Sequence, residues 1–336
     1  VSRYIVRRLL QAIVTLFVLS LLLFAWLRSL PGGPVSALLG ERSTPEDRAA
    51  LEQALGLDQP IFIQYLRFLE RAAQGQFGVS TGVLPGRDAL EIFLSRFPAT
   101  IELSFFALTL AILLGIPLGY LAARHRGTFL DTGSVLFSLV GIAVPVFFLA
   151  FALKYVFAIQ LGVLPPSGRQ SVGINATHIT GMYVLDGLLT REWDAAWDAL
   201  RHLILPAVAL SSIPFAVILR ITRASVLEVL DEDYVRTAQA KGLRAATIRG
   251  RHVLRNALIP VVTTIGLQTG ALLAGAVLTE RVFTFRGVGH ALAYGFETRD
   301  YAVLQVLIMM AALIYILVNM VVDIAYAAID PRVRVR

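Results

Sequence analysis

Six stretches of this sequence stay apolar for about the 20 residues that an α-helix needs to cross roughly 30 Å of hydrocarbon. They cover approximately residues 9–30, 101–123, 135–157, 203–219, 258–278 and 303–326. The expected fold is an all-α membrane protein with six transmembrane helices. The fourth stretch is short and contains Pro206 and Pro214, which blur its ends. Only 16% of the residues are charged and 57% are hydrophobic, whereas soluble domains carry about 25% charged residues.

The formal charge is +7. In a soluble protein that excess would suggest nucleic acid. Here the basic residues border apolar runs, where they record topology, and no nucleic-acid partner is expected. The chain has no cysteine, which excludes disulfides, thiolate metal sites and cysteine nucleophiles. Its five histidines form no HExxH pair, so no metal site is expected. The first apolar run follows Arg3, Arg7 and Arg8. It is longer than the ~7–15-residue core of a signal peptide and no small-residue cleavage site follows it, so a retained first transmembrane helix is expected.

Lys and Arg in the loops set the orientation. Arg124 and Arg126 follow the second run. Arg220, Arg223, Arg236, Lys241, Arg244, Arg249, Arg251 and Arg255 lie between the fourth and fifth, and Arg332, Arg334 and Arg336 follow the sixth. The loop after the third run instead carries Asp186, Glu192, Asp194 and Asp198. Both termini and the loop at 225–260 are therefore expected in the cytoplasm of a prokaryote, with the chain multi-pass in its cell membrane.

The chain divides into an N-terminal transmembrane helix (1–30), an extracytoplasmic helical segment (31–98) and a transmembrane domain (99–336) holding the loop at 225–260. The outer segment opens with LPGGP, which cannot continue a helix. Ser43-Thr44-Pro45-Glu46-Asp47 supplies a cap, a first-turn proline and acids at the positive helix end. Short helices are expected at about 45–55, 59–73 and 88–95, with a glycine-rich loop at 75–86 and a proline-led start of the second span at Phe97-Pro98-Ala99-Thr100. The loop at 160–200 is polar, with Trp193 and Trp197 suited to a membrane interface.

Several residues inside the runs are unusual. Gly115 and Gly119 form a GxxxG around Pro117, read as close helix packing or as a hinge. Lys154 ends the third run, facing a polar path or reaching the interface. Thr263, Thr264, Gln268 and Thr269 lie among Gly266, Gly270 and Gly275 in the fifth. They are candidates for lining a translocation path, and inter-helix hydrogen bonding is the equal alternative.

The most charged and helix-prone stretch is EVLDEDYVRTAQAKGLRAATIRGRHVLRNALIP. A helix is expected over 225–240, with acids early and Lys241 late to suit its dipole and Gly242 as a left-handed stop. A second, basic helix is expected over 245–256. Small side chains at Thr237, Ala238 and Ala240 permit close approach to another protein. A loop resting on anionic headgroups is the other reading.

The run from Asp233 to Leu243, DYVRTAQAKGL, followed by LRNALIP, resembles the cytoplasmic EAA loop of binding-protein-dependent ABC importers. RRLLQAIVTL with LPGGP, LGLDQPIFIQYLRFL, FPATIELS with GIPLGYLAA, and DIAYAAIDPRVR resemble, in order, segments of the dipeptide/oligopeptide (and nickel) permease family, first-subunit type. Two positions depart from the pattern: Arg236 stands where the general EAA loop has an acid, and Gly33 where the exit turn usually has one. The resemblance implies a type I ABC importer permease architecture. It also implies that Tyr234, Val235, Arg236, Thr237, Ala238, Gln239, Ala240, Lys241, Gly242 and Leu243 contact a separate ATPase. Further implied partners are a second homologous permease subunit, two ATP-binding subunits that hold ATP and Mg, an extracytoplasmic substrate-binding protein and a peptide substrate. Glutathione and chelated nickel are other cargoes within the family. The chain has no Walker A sequence, so it is expected to bind no cofactor and to be no enzyme. A self-contained secondary transporter or channel would need intramembrane charges, for which Lys154 and Asp323 are the candidates.

Overall fold

A computed structural model describes residues 2–29, 35, 39, 44–54 and 56–329. The LPGGP turn and the last residues of the C-terminal segment, Arg332, Arg334 and Arg336 among them, lie outside the described residues. The helices are α1 (Ser2–Ser29), α2 (Pro45–Ala54), α3 (Ile61–Ala73), α4 (Ala89–Arg124), α5 (Phe129–Ala143), α6 (Val146–Leu153), α7 (Tyr183–Leu189) and α8 (Trp193–Leu230). They continue as α9 (Asp233–Ala240), α10 (Ala245–Thr247), α11 (Arg255–Gly275), α12 (Val277–Val282), α13 (Val288–Thr298) and α14 (Tyr301–Ile329). Among the described residues five helices are long and apolar enough to cross a membrane, and a bent pair makes a sixth. The chain is an all-α membrane protein.

The core is a parallel pair, α4 and α8. In α4 every fourth residue from Ala99 through Leu103, Ala107, Ala111, Gly115 and Gly119 to Ala123 is buried. Residues four apart are neighbours on a helix surface, so this row, small at every position except Leu103, winds gradually around α4. A Cβ on Gly115 would stand 2.9 Å from Ile218 Cγ2, and one on Gly119 would stand 2.6 Å from the Leu219 carbonyl oxygen. The GxxxG is thus a contact with α8, as the packing reading expects. α8 is the central rod: 72% of its apolar window is buried inside the chain, against 17–33% in the other four single spans. It is flanked by α4, α5, α6, α7 and α11.

Three expectations about the spans need correction. The helix expected at 88–95 and the start expected at Pro98 are one 36-residue helix, opened by Asp88 Oδ1, which accepts from the Leu90 and Glu91 N–H groups at 2.8 and 3.2 Å. Pro98 removes one backbone donor but does not end the helix, because its fixed φ fits helical geometry and tertiary contacts on both sides hold it. For the same reason the fourth span is the longest helix, 38 residues with Pro206 and Pro214 inside it. The third span is not one straight helix. Val144 is extended at ψ 122°, Pro145 caps α6, and α5 and the segment through Gln160 meet at 102°. The residue before a proline avoids the helical region, and here no neighbour overrides that preference.

The segment after α1 matches its expectation more closely. Thr44 caps α2, its Oγ1 accepting from the Asp47 N–H at 3.2 Å while the Asp47 carboxylate accepts from the Thr44 N–H at 3.2 Å, a reciprocal capping box. α3 starts after Pro60 and lies along the C-terminal half of α1. Tyr65 and Phe68 pack on Phe24, and the Tyr65 hydroxyl is 2.8 Å from Ser20 Oγ.

Gly119→Ala should lower thermal stability in detergent by about 1–3 kcal/mol, because the added methyl meets backbone that cannot yield. Gly133→Ala in α5, whose Cβ would meet nothing within 4 Å, should be neutral or stabilising by up to about 1 kcal/mol. Melting of the two variants side by side checks the close contact; equal melting temperatures would refute it.

Candidate coupling surface and buried polar anchors

The loop at 225–260 is built differently from the two helices expected. α8 stops at Leu230, two residues intervene, and α9 restarts at Asp233. The basic helix expected at 245–256 is a short α10, a π-helical turn over Ile248–Leu254, and then α11, with no break before the fifth span. α9 ends as expected. Gly242 has φ +70°, its N–H bonds the Gln239 carbonyl at 2.9 Å, and the Leu243 N–H bonds the Ala238 carbonyl at 3.3 Å. This is the Schellman pattern.

Of the ten residues from Tyr234 to Leu243, two face inward. Val235 and Ala238 are buried, Val235 in one cluster with Ala123, Val226, Val253 and Ala257, and full burial of a valine contributes about 1.5–3 kcal/mol. Tyr234, Arg236, Thr237, Gln239, Ala240, Lys241, Gly242 and Leu243 are exposed. The helix is therefore seated on α4, α8 and α11 by one side and open on the other. Asn256 Nδ2 donates to the Tyr234 hydroxyl at 3.0 Å. Nearby, Asp131 of α5 holds Arg223 of α8 through two bonds of 2.5 and 2.9 Å.

The polar residues of α11 do not share one stripe. At about 100° per residue, Thr264 and Gln268 flank one side of the exposed row Pro260, Leu267 and Ala271, Thr263 flanks the other, and Thr269 lies opposite it. Thr263, Thr264 and Thr269 donate to carbonyls four residues earlier in their own helix, at 3.3, 2.9 and 2.9 Å. Gly266 and Gly270 face α14: a Cβ on Gly266 would meet Val322, and one on Gly270 would stand 3.0 Å from Tyr315 and Asn319. Lys154 Nζ donates to the Val282 carbonyl at 2.8 Å, fixing the end of α12.

At the opposite end from α9, buried acids pin the connecting segments to the helices. Glu102 of α4 accepts from Arg169 Nη2 at 2.8 Å and from the Val184 N–H at 2.7 Å. Arg169 in turn lies 3.7 Å over the Tyr183 ring. Glu280 of α12, fully buried, accepts from the Thr100 hydroxyl at 2.7 Å and from the His290 N–H at 2.9 Å. Thr100 Oγ1 also accepts from the Val288 N–H. Asp300 precedes α14 and accepts from the Ser80 hydroxyl and from the N–H groups of Thr81, Gly82 and Val83, all at 2.5–3.2 Å. The sequence reasoning did not single out Glu102, Glu280 or Asp300. The available signal was an acid next to an apolar run, where only a partnered carboxylate is tolerated. Among the described residues no group of three or more His, Cys, Asp or Glu is placed to hold a metal.

Burial pushes the Glu280 carboxyl up to about 7, although the bonds from Thr100, His290 and Gly289 and the charge of Arg169 pull it down. The folded protein thus holds this proton more tightly than an unfolded chain does. The associated stabilisation is complete below the ordinary glutamate pKa and is lost as pH rises through about 7. Between about pH 5 and pH 8 the melting temperature of the wild type should fall relative to that of Glu280→Gln. Parallel curves would show that Glu280 does not titrate there.

A family model described as "Binding-protein-dependent transport system inner membrane component" matches residues 115–335, and its N-terminal counterpart matches residues 1–104. The chain is 46% identical over 332 residues to the di/tripeptide transport system permease protein of Pseudomonas aeruginosa, covering 98% of both chains. It is 40% identical over 331 residues to the dipeptide transport system permease protein of Alkalihalophilus pseudofirmus, covering 98% of this chain and 99% of the relative. It is also 38% identical over 331 residues to the glutathione transport system permease protein of Escherichia coli, covering 98% of each. With both family models and full-length relatives in agreement, this chain belongs to the family of inner membrane components of binding-protein-dependent transport systems.

Proposed function

We propose that the chain is one of two homologous permease subunits of an ATP-driven peptide importer, and that α9 is where it meets a separate ATPase. The carrying observation is the build of α9: an exposed face with small side chains at Thr237 and Ala240, ended by a left-handed Gly242, and seated by Val235 on three membrane helices. A protein seated on the open face would displace α8 and α11 together, because Val235 lies between Val226 and Val253 in one cluster. ATP and Mg belong to two partner subunits, since the chain has no Walker A sequence. An extracytoplasmic binding protein delivers the cargo. Peptide cargo is supported by the names of the relatives, two of which are dipeptide or di/tripeptide permeases.

In this reading α9 and both termini are cytoplasmic, in line with the basic residues around 220–255. The segment 31–98 and the buried acids Glu102, Glu280 and Asp300 belong to the outer side. The N-terminal helix is a separate unit in sequence that packs on α14 of the 99–336 transmembrane domain. The exposed row of α11, with Thr264 and Gln268 at its border, lines the path, and the second permease closes it. Thr263 borders the same row from its other side, and Thr269, opposite it, contributes through the packing of α11.

Gly242→Trp tests the docking. A Cβ there meets nothing within 4 Å, so the side chain starts from open space on the exposed face, while the left-handed backbone costs about 1–2 kcal/mol. The variant should insert in the membrane and retain its permease partner, yet lose ATPase copurification and at least about tenfold of peptide uptake, as expected for bulk placed at an interface centre. Wild-type uptake by this variant would refute docking through α9.

A further inference from the structure

The outer end of the molecule contains a cavity of about 710 Å³ between the start of α4, the segment at 167–172 and the turn at 284–286. Four arginines line it: Arg87, Arg96, Arg169 and Arg286. Two already have carboxylates. Arg87 pairs with Glu91 at 3.4 Å in an exposed i,i+4 contact, and Arg169 pairs with Glu102. Arg96 and Arg286 have no carboxylate in ion-pair reach among the described residues. The one contact between them runs from Arg96 Nη1 to the Arg286 carbonyl at 3.4 Å. The Arg169 side chain is 9% exposed, and its Nε is buried without a hydrogen-bond partner.

The fold holds these cations together. Arg96 stands one turn before Thr100 on α4, and Thr100 is bonded to Glu280. The turn that carries Arg286 is anchored by buried Phe283 and Phe285, and the Gly168 N–H bonds the Phe283 carbonyl at 2.8 Å. Thr284, between the two phenylalanines, is left-handed at φ 49°, a strained state for a β-branched residue and one that clusters at ligand sites. Guanidiniums gathered without acids repel one another, and their planar donors match a carboxylate in two-point geometry.

We infer that this cavity receives the C-terminal carboxylate of a short peptide on Arg96 and Arg286 as the solute enters from outside. The inference rests on the peptide-importer reading. The cavity has the size of a small-ligand pocket, ~300–1,000 Å³, and is concave, which suits a dipeptide better than the flat contact of a docked protein.

The test uses the assembled permease–ATPase complex in nanodiscs without binding protein. Alanyl-alanine and alanyl-alanine amide are titrated by saturation-transfer NMR against the wild type and against Arg96→Gln/Arg286→Gln. Alanyl-alanine should bind the wild type at least about tenfold more tightly than the double variant, the loss expected for one charge-assisted contact or more. The amide should bind both weakly. Arg286→Gln alone, on an exposed turn, should show a several-fold part of the loss, and Arg286→Lys should recover some of it. Equal affinity of wild type and double variant, or of dipeptide and amide, would overturn the inference. So would a double variant that binds alanyl-alanine normally but no longer holds the binding protein, which would assign the arginines to an acidic protein surface. Dipeptide uptake into proteoliposomes with the binding protein separates the two levels. Wild-type uptake with unchanged dipeptide binding by the double variant removes only this site, whereas a wild-type complex that imports neither probe and binds neither removes the peptide-importer reading as well.

Discussion

The contact between α4 and α8 is the constraint on which the other elements depend. In a bilayer the hydrophobic effect gives two apolar helices little reason to associate, because lipid tails are as apolar as leucine. Close approach has to supply the attraction through dispersion, and only small side chains permit it. The row from Ala99 to Ala123 does this over seven positions spaced four apart. Because the pair is parallel, the segment between them, α5 to α7, must return to the first end before α8 begins. The bend at Pro145 lies within that return.

The two ends of the pair are finished with different chemistry. At the α9 end the seal is apolar, with Val235 clustered with Val226 and Val253, and Arg223, paired with Asp131, lies one turn before Val226 on α8. At the other end they are buried acids, each of which accepts backbone N–H groups from a connecting segment: Glu102 from Val184, Glu280 from His290, Asp300 from Thr81, Gly82 and Val83. A carboxylate satisfied in this way fixes the path of a loop that has no regular hydrogen-bond ladder of its own. The arrangement leaves one end with an exposed helix on an apolar seal and the other with connecting segments locked in place by buried acids.

Much of this was legible in the residues. Apolar length identified the spans, Thr44 and Asp47 marked the start of α2, and Gly242 marked the end of α9, because each depends on local rules of capping or backbone freedom. Prolines account for the differences. Pro98 suggests a helix start and Pro206 and Pro214 blur the ends of the fourth span, but tertiary contact on a crowded helix outweighs a missing donor. At Pro145 the local preference held, since the helix there is far more exposed. Each buried acid depends on a partner far along the chain: Val184 lies 82 positions from Glu102, Thr100 lies 180 from Glu280 and Ser80 lies 220 from Asp300. Nothing in the local pattern distinguishes such an acid from one at an interface. Likewise Thr263, Thr264, Gln268 and Thr269 are close in sequence but fall on different sides of α11.

The length of α8 has a mechanical consequence. Thirty-eight residues without a break, at 1.5 Å each, make a rod about 57 Å long, nearly twice the hydrocarbon thickness of roughly 30 Å. The rod overhangs the bilayer, with α9 just beyond one tip and Trp193 at the other. The glycines of α4 meet it at Ile218, Leu219 and Thr222, so a pivot at that contact leaves arms of roughly 17 Å toward α9 and roughly 39 Å toward Trp193 at about 1.5 Å per residue. α8 is thus a lever with unequal arms: a tilt about the glycine contact moves the Trp193 tip more than twice as far as the tip beside α9, and in the opposite sense.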